Sequence, residues 1–528
     1  MNHILILLGI VAILCVLMGH ISEKLPIPSL LLFLVLGMLF GVDGIIKIPF
    51  DNYYISEIIC SICLIFIMFY GGFGTNFTAA KPVLLKAGLL ASVGVILTAL
   101  FTGLFVHYVL DVVWLESLLI GSVIASTDAA SVFAILKREK LNLKDNTASL
   151  LEVESGSNDP VSYMLTIVLC TLINGKSVSF VSMLLSQILI GAIVGLILGK
   201  ITVHLLKRGL IVEDGKTIFV FAVAIMAYAL SSIIGGNGYL SVYLCGILIG
   251  NSRIPRIHHL VNFFDTLTSL SQMMIFFLLG LLVTPSELPE VFIPALLIMI
   301  FLTFISRPLA VTLTLAPFKT YLSQIGIVSW AGLRGVASIV FAIIAVLSGV
   351  QMHFNIFNLV FCIVLLSISI QGTLLPYVSK KLLMIDNKWD VFKTFNDYQY
   401  ESDINFIKIN IDENHVWKNK SLKDIVLPSS FLVVMIIRGG ETLIPKGHTV
   451  LNENDEIVVA AKEYNDAHHL HINEILVEPG HSWVHSQIKD IQFGKRKLVV
   501  MIRRRDNTII PDGSTEILAD DTLIIAKY

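Results

Sequence analysis

"LLEVESGSNDPVSYMLTIVL", Leu150–Leu169, has a second half apolar enough to lie in a lipid bilayer and a first half that carries Glu152, Glu154 and Asp159. The surrounding chain decides what that contradiction means. Its 528 residues are 55% hydrophobic and 14% charged, with a net charge of -2 and a mean hydropathy of +0.82. A soluble domain carries about 25% charged residues, so this is the composition of an integral membrane protein. The near-neutral balance offers no nucleic-acid footprint. All six cysteines lie in apolar segments, and the Cys60-x-x-Cys63 pair has no second pair or nearby His to complete a metal site. They read as small apolar helix residues. The N-terminus enters an apolar stretch without a small-residue cleavage site, so the first helix is expected to be kept.

Apolar segments of membrane-spanning length, roughly 17–25 residues, recur to about residue 380 and number about 13. Alternate loops are rich in Lys and Arg, for example Lys137, Arg138, Lys140 and Lys144, then Lys207, Arg208 and Lys216, then Lys380 and Lys381. The other loops hold little beyond Lys47 and Lys176. The positive-inside rule puts the rich set in the cytoplasm. With an odd number of spans, the N-terminus is then outside and the C-terminal region inside.

An ionisable side chain in a membrane helix costs on the order of 3 kcal/mol, and such residues face a protein interior or a water-filled cavity. Three segments carry them. In "GSVIASTDAASVFAIL", Gly121–Leu136, the residues Ser126, Thr127 and Asp128 interrupt an apolar helix amid small neighbours, as expected where a helix breaks. Asp128 then either caps a half-helix or coordinates a cation, and a broken helix permits both. In the opening stretch, helical spacing puts Glu152, Ser155 and Asp159 on one stripe and Glu154 and Asn158 on the next. Carboxylate, amide and hydroxyl oxygens within one turn suit a hard monovalent cation, and one carboxylate can hold a proton in its place. In "WAGLRGVASIVFAI", Trp330–Ile343, Arg334 lies between Gly332 and Gly335 and marks a second broken helix. A buried arginine requires a carboxylate partner, and Glu154 is the expected one. The two broken segments are the fifth and twelfth spans. Their odd offset of seven implies inverted repeats, a secondary-transporter arrangement.

Beyond about residue 385 the pattern changes to short β-branched runs broken by Gly and Pro. Two 46-residue units, from His415 and from His481, share "LVVMI", an Arg, Ile-Pro, Gly-x-Thr and a late Asp; roughly 18 positions are identical, a tandem repeat. His468, His469 and His471 precede the second unit and read as a solvated linker in preference to a metal site.

These residues resemble the monovalent cation/proton antiporters of the NhaP-like branch. "STDAAS" is similar to that family's fifth-helix Thr-Asp motif, "ESGSNDP" to its sixth-helix motif, and "GLRG" to its arginine-bearing helix; "SRPLA", Ser306–Ala310, also resembles it. The combination is most like the CvrA-type potassium/proton antiporters. The resemblance implies a polytopic α-helical membrane fold with about 13 helices, inverted repeats and two broken helices over residues 1–385. It implies that Asp159 alternates between cation and proton. Thr127 (through its carbonyl), Asp128, Ser155 and Asn158 would complete the cation site, and Glu154 and Arg334 would form a structural ion pair, with Arg307 in the same polar core. Asn158 stands where electrogenic relatives have a second aspartate, which implies an electroneutral one-for-one exchange. Relatives often carry an acid in an F-[DE]-G-G phrase, where this chain has Tyr70.

After a linker at 386–403, residues 404–462 resemble a TrkA-C (RCK C-terminal) domain, and 474–528 a diverged second copy. The resemblance implies a soluble, β-rich (α+β), dimeric cytoplasmic sensing module, and hence a homodimer that favours potassium. No G-x-G-x-x-G precedes it, so no nucleotide cofactor is expected. A cyclic dinucleotide or another small anion is compatible with Lys495, Arg496, Arg503, Arg504 and Arg505, though these also read as a solvated basic face. The expected function is therefore regulated exchange of potassium for protons at the cell membrane, with sodium as the alternative ion. An RCK-regulated potassium channel is less favoured, because no T-V-G-Y-G-like filter occurs. An enzyme is not expected: no H-E-x-x-H or G-x-S-x-G occurs.

Overall fold

In a computed structural model the described residues are 2–24, 28–75, 81–139, 141–175, 179–212, 215–252, 254, 258–386, 404–413, 415–425, 427, 431–439, 441–462, 471–491, 497–504, 507–509 and 511–527. The chain divides into two compact units, Met1–Phe392 and Lys393–Tyr528. Most of the expected linker, residues 387–403, lies outside the described residues, as do His468, His469, Lys495, Arg496 and Arg505.

The first unit is helical. Its elements are α1 (Asn2–Lys24), α2 (Ser29–Phe40), α3 (Tyr53–Gly74), α4 (Leu84–Leu110), α5 (Trp114–Val123), α6 (Ala129–Arg138), α7 (Thr147–Ile173) and α8 (Phe180–Lys207). Then come α9 (Lys216–Ile233), α10 (Gly238–Gly250), α11 (His258–Leu282), α12 (Pro285–Phe318), α13 (Leu322–Trp330), α14 (Val336–Leu347) and α15 (Ile356–Lys381). Among the described residues, seven of these are long and apolar enough to cross a membrane, namely α3, α4, α8, α9, α11, α12 and α15. Their outward faces keep large apolar side chains exposed, among them Val181, Ile218, Ile293 and Leu313, as a lipid-facing surface requires.

Close helix contacts hold the interior together where glycine removes the side chain. A Cβ at Gly246 or Gly250 of α10 would lie 2.4 Å from Phe69 O or 2.0 Å from Phe73 O of α3. These positions let the two backbones touch, as small residues do between membrane helices. Asn237 caps α10 by accepting from Leu240 N at 3.0 Å, and its Nδ2 donates to Pro160 O at 2.8 Å. That bond fixes α10 against α7, the helix that carries the opening stretch.

Three long helices contain a π-turn, at Leu90–Gly94, Leu302–Ser306 and Ser367–Gly372. Nothing in the apolar periodicity marks them. Such turns widen a helix locally and recur at functional sites; one of them ends just before Arg307, and another places Ser367 Oγ to accept from Arg334 N.

The second unit holds two four-stranded antiparallel sheets of identical plan. In the first, strands β1 (Ile404–Asn410), β2 (Phe431–Arg438), β3 (Glu441–Leu443) and β4 (Glu456–Lys462) pair in the order β1-β4-β2-β3. In the second, β5 (His471–Leu476), β6 (Lys497–Arg504), β7 (Asn507–Ile509) and β8 (Thr522–Lys527) pair as β5-β8-β6-β7. Each sheet has an irregularity at the same place in its "LVVMI" run, Val433/Met435 and Val499/Met501. Among the described residues the module's helical content is confined to short turns at Leu422–Asp424 and Ile488–Asp490. The shared Arg and late Asp of the repeat are paired: Arg438 with the fully buried Asp455, and Arg504 with the fully buried Asp521. Arg504 is thereby taken out of the expected basic face. Each buried carboxylate also accepts a backbone N–H, from Asn452 and from Leu518.

Burial pushes the Asp455 and Asp521 carboxyls up, but the arginine and backbone hydrogen bonds outweigh it and hold both below the usual carboxylate range. A lowered folded-state value stabilises above the unfolded pKa and is lost as pH falls through the folded one. Asp455→Ala should therefore cost about 2 kcal/mol at neutral pH, read as faster amide exchange in β4 of the full-length protein. The difference from wild type should shrink below about pH 4.

Candidate functional site

α5 and α6 are two halves of one interrupted segment, as are α13 and α14. Residues 125–128 and 332–335 run between the halves without helical structure. Asp128 N donates to Leu333 O at 2.8 Å, so one break crosses the other. The last carbonyls of a helix lack internal partners and carry partial negative charge, and the first N–H groups carry the opposite. Both kinds of end meet at this crossing, inside the protein. Arg334 Nη1 takes the negative end, donating at 2.8 Å to both Ala125 O and Ser126 O beyond α5. Its backbone N–H donates to Ser367 Oγ at 3.0 Å, in the π-turn of α15. Asp128 takes the positive end: its Oδ1 accepts from Ser131 N at 3.2 Å in the first turn of α6. Gly335 lets the two breaks approach, since a Cβ there would lie 2.5 Å from both Asp128 Cβ and Oδ2.

α7 lays its polar turn against this crossing. Ser155 Oγ donates to Thr127 O at 2.7 Å. Asn158 Nδ2 donates to Thr127 Oγ1, and Ser126 Oγ donates to Asp159 Oδ1. Thr127, Ser155, Asn158 and Asp159 are all buried. The amide oxygen of Asn158 is buried with no hydrogen-bond donor among the described residues. A buried oxygen without a donor is costly and is suited to a cation. The structure thus brings together Thr127, Asp128, Ser155, Asn158 and Asp159, the five residues expected for cation binding. Tyr70 is half-buried on α3.

The expected Glu154–Arg334 pair is not formed. Glu154 Oε1 is instead ion-paired with Arg307, both side chains 1% exposed. The reason is the division of labour at the crossing. Arg334 is occupied by the carbonyls after α5, and the π-turn of α12 delivers Arg307 to Glu154. Sequence reasoning took Ser126 only as part of the break and Ser131 only as a small neighbour, and missed that their hydroxyls donate to Asp159 and Asp128. Their hydroxyls flank Asp128 in "ASTDAAS", and a carboxylate's need for donors was the signal available.

Residues 9–381 match the family model described as "Sodium/hydrogen exchanger, transmembrane", and 406–464 and 472–526 match the TrkA-C domain. The chain is 34% identical over 467 residues to "K(+)/H(+) antiporter NhaP" of Alkalimonas amylolytica, covering 87% of this chain and 81% of that protein. It is 33% identical over 470 residues to "K(+)/H(+) antiporter NhaP2" of a Shewanella species, strain ANA-3, covering 88% and 82%. Its structure is similar, at a TM-score of 0.63 and 27% identity, to that of the sodium proton antiporter MjNhaP1 from Methanocaldococcus jannaschii, covering 71% of this chain and 97% of that one. The chain belongs to the sodium/hydrogen exchanger family, a family of transporters, and carries two TrkA-C domains.

Glu154 Oε2 and Arg307 Nε and Nη1 have no hydrogen-bond partner among the described residues. Removing either charge strands the other without much else to hold it. Glu154→Gln or Arg307→Gln should each cost about 3–5 kcal/mol, seen as a lower melting temperature in detergent. The double variant should lose much less than the sum. Gly335→Ala should force the crossing apart and abolish transport. Gly71→Ala, where a Cβ meets nothing within 4 Å, should leave transport unchanged; proton flux in inside-out vesicles compares the two variants.

Proposed function

We propose that this member of the sodium/hydrogen exchanger family exchanges potassium for protons, one for one, across the cell membrane by alternating access. The observation that carries the reading is the buried Asp159 carboxylate. It lies beside Ser155 and the donorless Asn158 oxygen, at the crossing of two interrupted helices. A cation shedding its water needs replacement oxygens; Asp159, the Thr127 carbonyl, Ser155 and Asn158 supply them. Asp128 adds a fixed negative charge while capping α6.

One carboxylate can be neutralised by one potassium ion or one proton. With Asn158 uncharged, either form of the loaded site carries the same charge, so the exchange moves no net charge. Interrupted helices that cross at the middle of the membrane are the arrangement in which a fixed site is exposed first to one side and then to the other. Potassium is favoured by the names of the two relatives, both K(+)/H(+) antiporters, and by the TrkA-C domains; sodium is the second reading, favoured by the similarity to the solved sodium proton antiporter.

Counting each interrupted pair once gives thirteen crossings; that odd number and the basic loops, taken as cytoplasmic, support an N-terminus outside and TrkA-C domains in the cytoplasm. The working form is a homodimer whose TrkA-C domains sense a small ligand. The cation and proton are cargo, and the chemistry requires no resident cofactor.

The test is proton flux in inside-out vesicles under an imposed pH gradient, with potassium, sodium or choline added. Potassium should dissipate the gradient at least as strongly as sodium, and Asp159→Asn should abolish the effect. Dissipation by sodium alone would overturn the ion. An Asp159→Asn protein that exchanges at the normal rate would overturn the site. Asn158→Asp should make the exchange sensitive to membrane voltage, or block it.

A further inference from the structure

α8 is the least enclosed of the long apolar helices: 22% of its apolar window is buried, against 33% or more for the others. Leu185, Leu189, Ile193, Leu196 and Ile197 are exposed on it at spacings of three and four residues, which is one helix face. Continued toward the C-terminus, the same face becomes basic at Lys200, His204, Lys207 and Arg208. These four line a cavity of about 350 Å³ between α8 and α10, together with Val203, Leu248 and Ser252. The cavity ends where the helices close up: a Cβ at Gly199 would lie 2.8 Å from Leu248 Cδ1 and 3.4 Å from Cys245 Cα.

Cations in the last turn of a helix offset its dipole, which accounts for Lys207 and Arg208. It does not account for Lys200, two turns further in, at the edge of the apolar stripe. Among the described residues no carboxylate forms an ion pair with any of the four. An apolar strip running into a basic groove with no carboxylate partner among the described residues matches one kind of molecule, with a negative head and hydrocarbon tails.

We propose that this groove binds an anionic phospholipid. The headgroup phosphate sits among Lys200, Lys207, Arg208 and His204, and the acyl chains lie along Leu189, Ile193 and Ile197. A free phosphate shares the headgroup chemistry but leaves the apolar strip uncovered. None of the groove's lining residues belongs to the Asp159 crossing, and the site does not depend on which cation is carried.

The test uses the full-length protein, delipidated in a neutral detergent and melted with added phosphatidylglycerol, phosphatidylcholine or inorganic phosphate. Phosphatidylglycerol should raise the melting temperature of the wild type, and phosphatidylcholine and phosphate should not. In K200Q/K207Q/R208Q the apparent affinity for phosphatidylglycerol should fall on the order of a hundredfold, from the loss of three basic groups. An equal effect of phosphatidylcholine would reduce the site to an apolar strip. An equal effect of phosphate alone would make it a free-anion site. An undiminished response in the variant would place the lipid elsewhere. Each of these overturns the proposal. Native mass spectrometry of the wild type decides the matter should the variant not fold. Phosphatidylglycerol retained in preference to phosphatidylcholine and displaced by salt supports the groove, and retention without preference overturns it.

Discussion

Two interrupted helices that cross inside a membrane protein bring four helix ends into a place without bulk water, and the rest of the first unit is arranged around that difficulty. Unpaired backbone groups at such depth are tolerated only where protein or a water-filled cavity receives them. Here the receiving groups are charged. Arg334 takes the carbonyls of Ala125 and Ser126, Asp128 takes the start of α6, and the Asp128 N–H joins the two breaks through Leu333 O. The crossing is therefore neutralised from within, one charge for each sign of dipole. Asp159, brought in by α7, adds a carboxylate that this balance does not require. A carboxylate in surplus at a neutral crossing is what a proton or a cation can occupy in turn.

The Glu154–Arg307 pair supports the crossing at one remove. It ties α7 to the π-turn of α12, so the helix carrying Asp159 is anchored by a buried ion pair one turn from the site. Buried pairs contribute little stability relative to apolar packing, yet breaking one is expensive. Such a pair suits a helix whose register against its neighbours has to be kept while other contacts change. The close packing of α3 on α10 through Gly246 and Gly250 is a second fixed region, built from shape instead of charge.

Much of this was legible in the sequence because polar residues in an apolar background have few explanations. "ASTDAAS", "ESGSNDP" and "GLRG" located both breaks and the five residues that the structure brings together at their crossing, and the tandem repeat located two sheets of the same plan. The failure was Arg334. The sequence says that a buried arginine needs negative partners, but not whether they are a carboxylate or backbone carbonyls. That depends on which helix end the guanidinium reaches. Arg307 was mentioned on resemblance alone, because the π-turn that aims it leaves no trace in apolar periodicity. The repeat's Arg and late Asp were seen as shared letters, and their pairing became visible only once β2 and β4, and β6 and β8, were placed side by side.

The central claim is that one carboxylate serves both ions. Calorimetric titration of the purified protein with potassium at a series of pH values tests it most directly. If a single proton and the cation compete for Asp159, the apparent potassium affinity falls about tenfold for each unit of pH on the acid side. It then levels off on the alkaline side. An affinity that does not change with pH, or that falls about a hundredfold per unit as for two competing protons, would contradict the account.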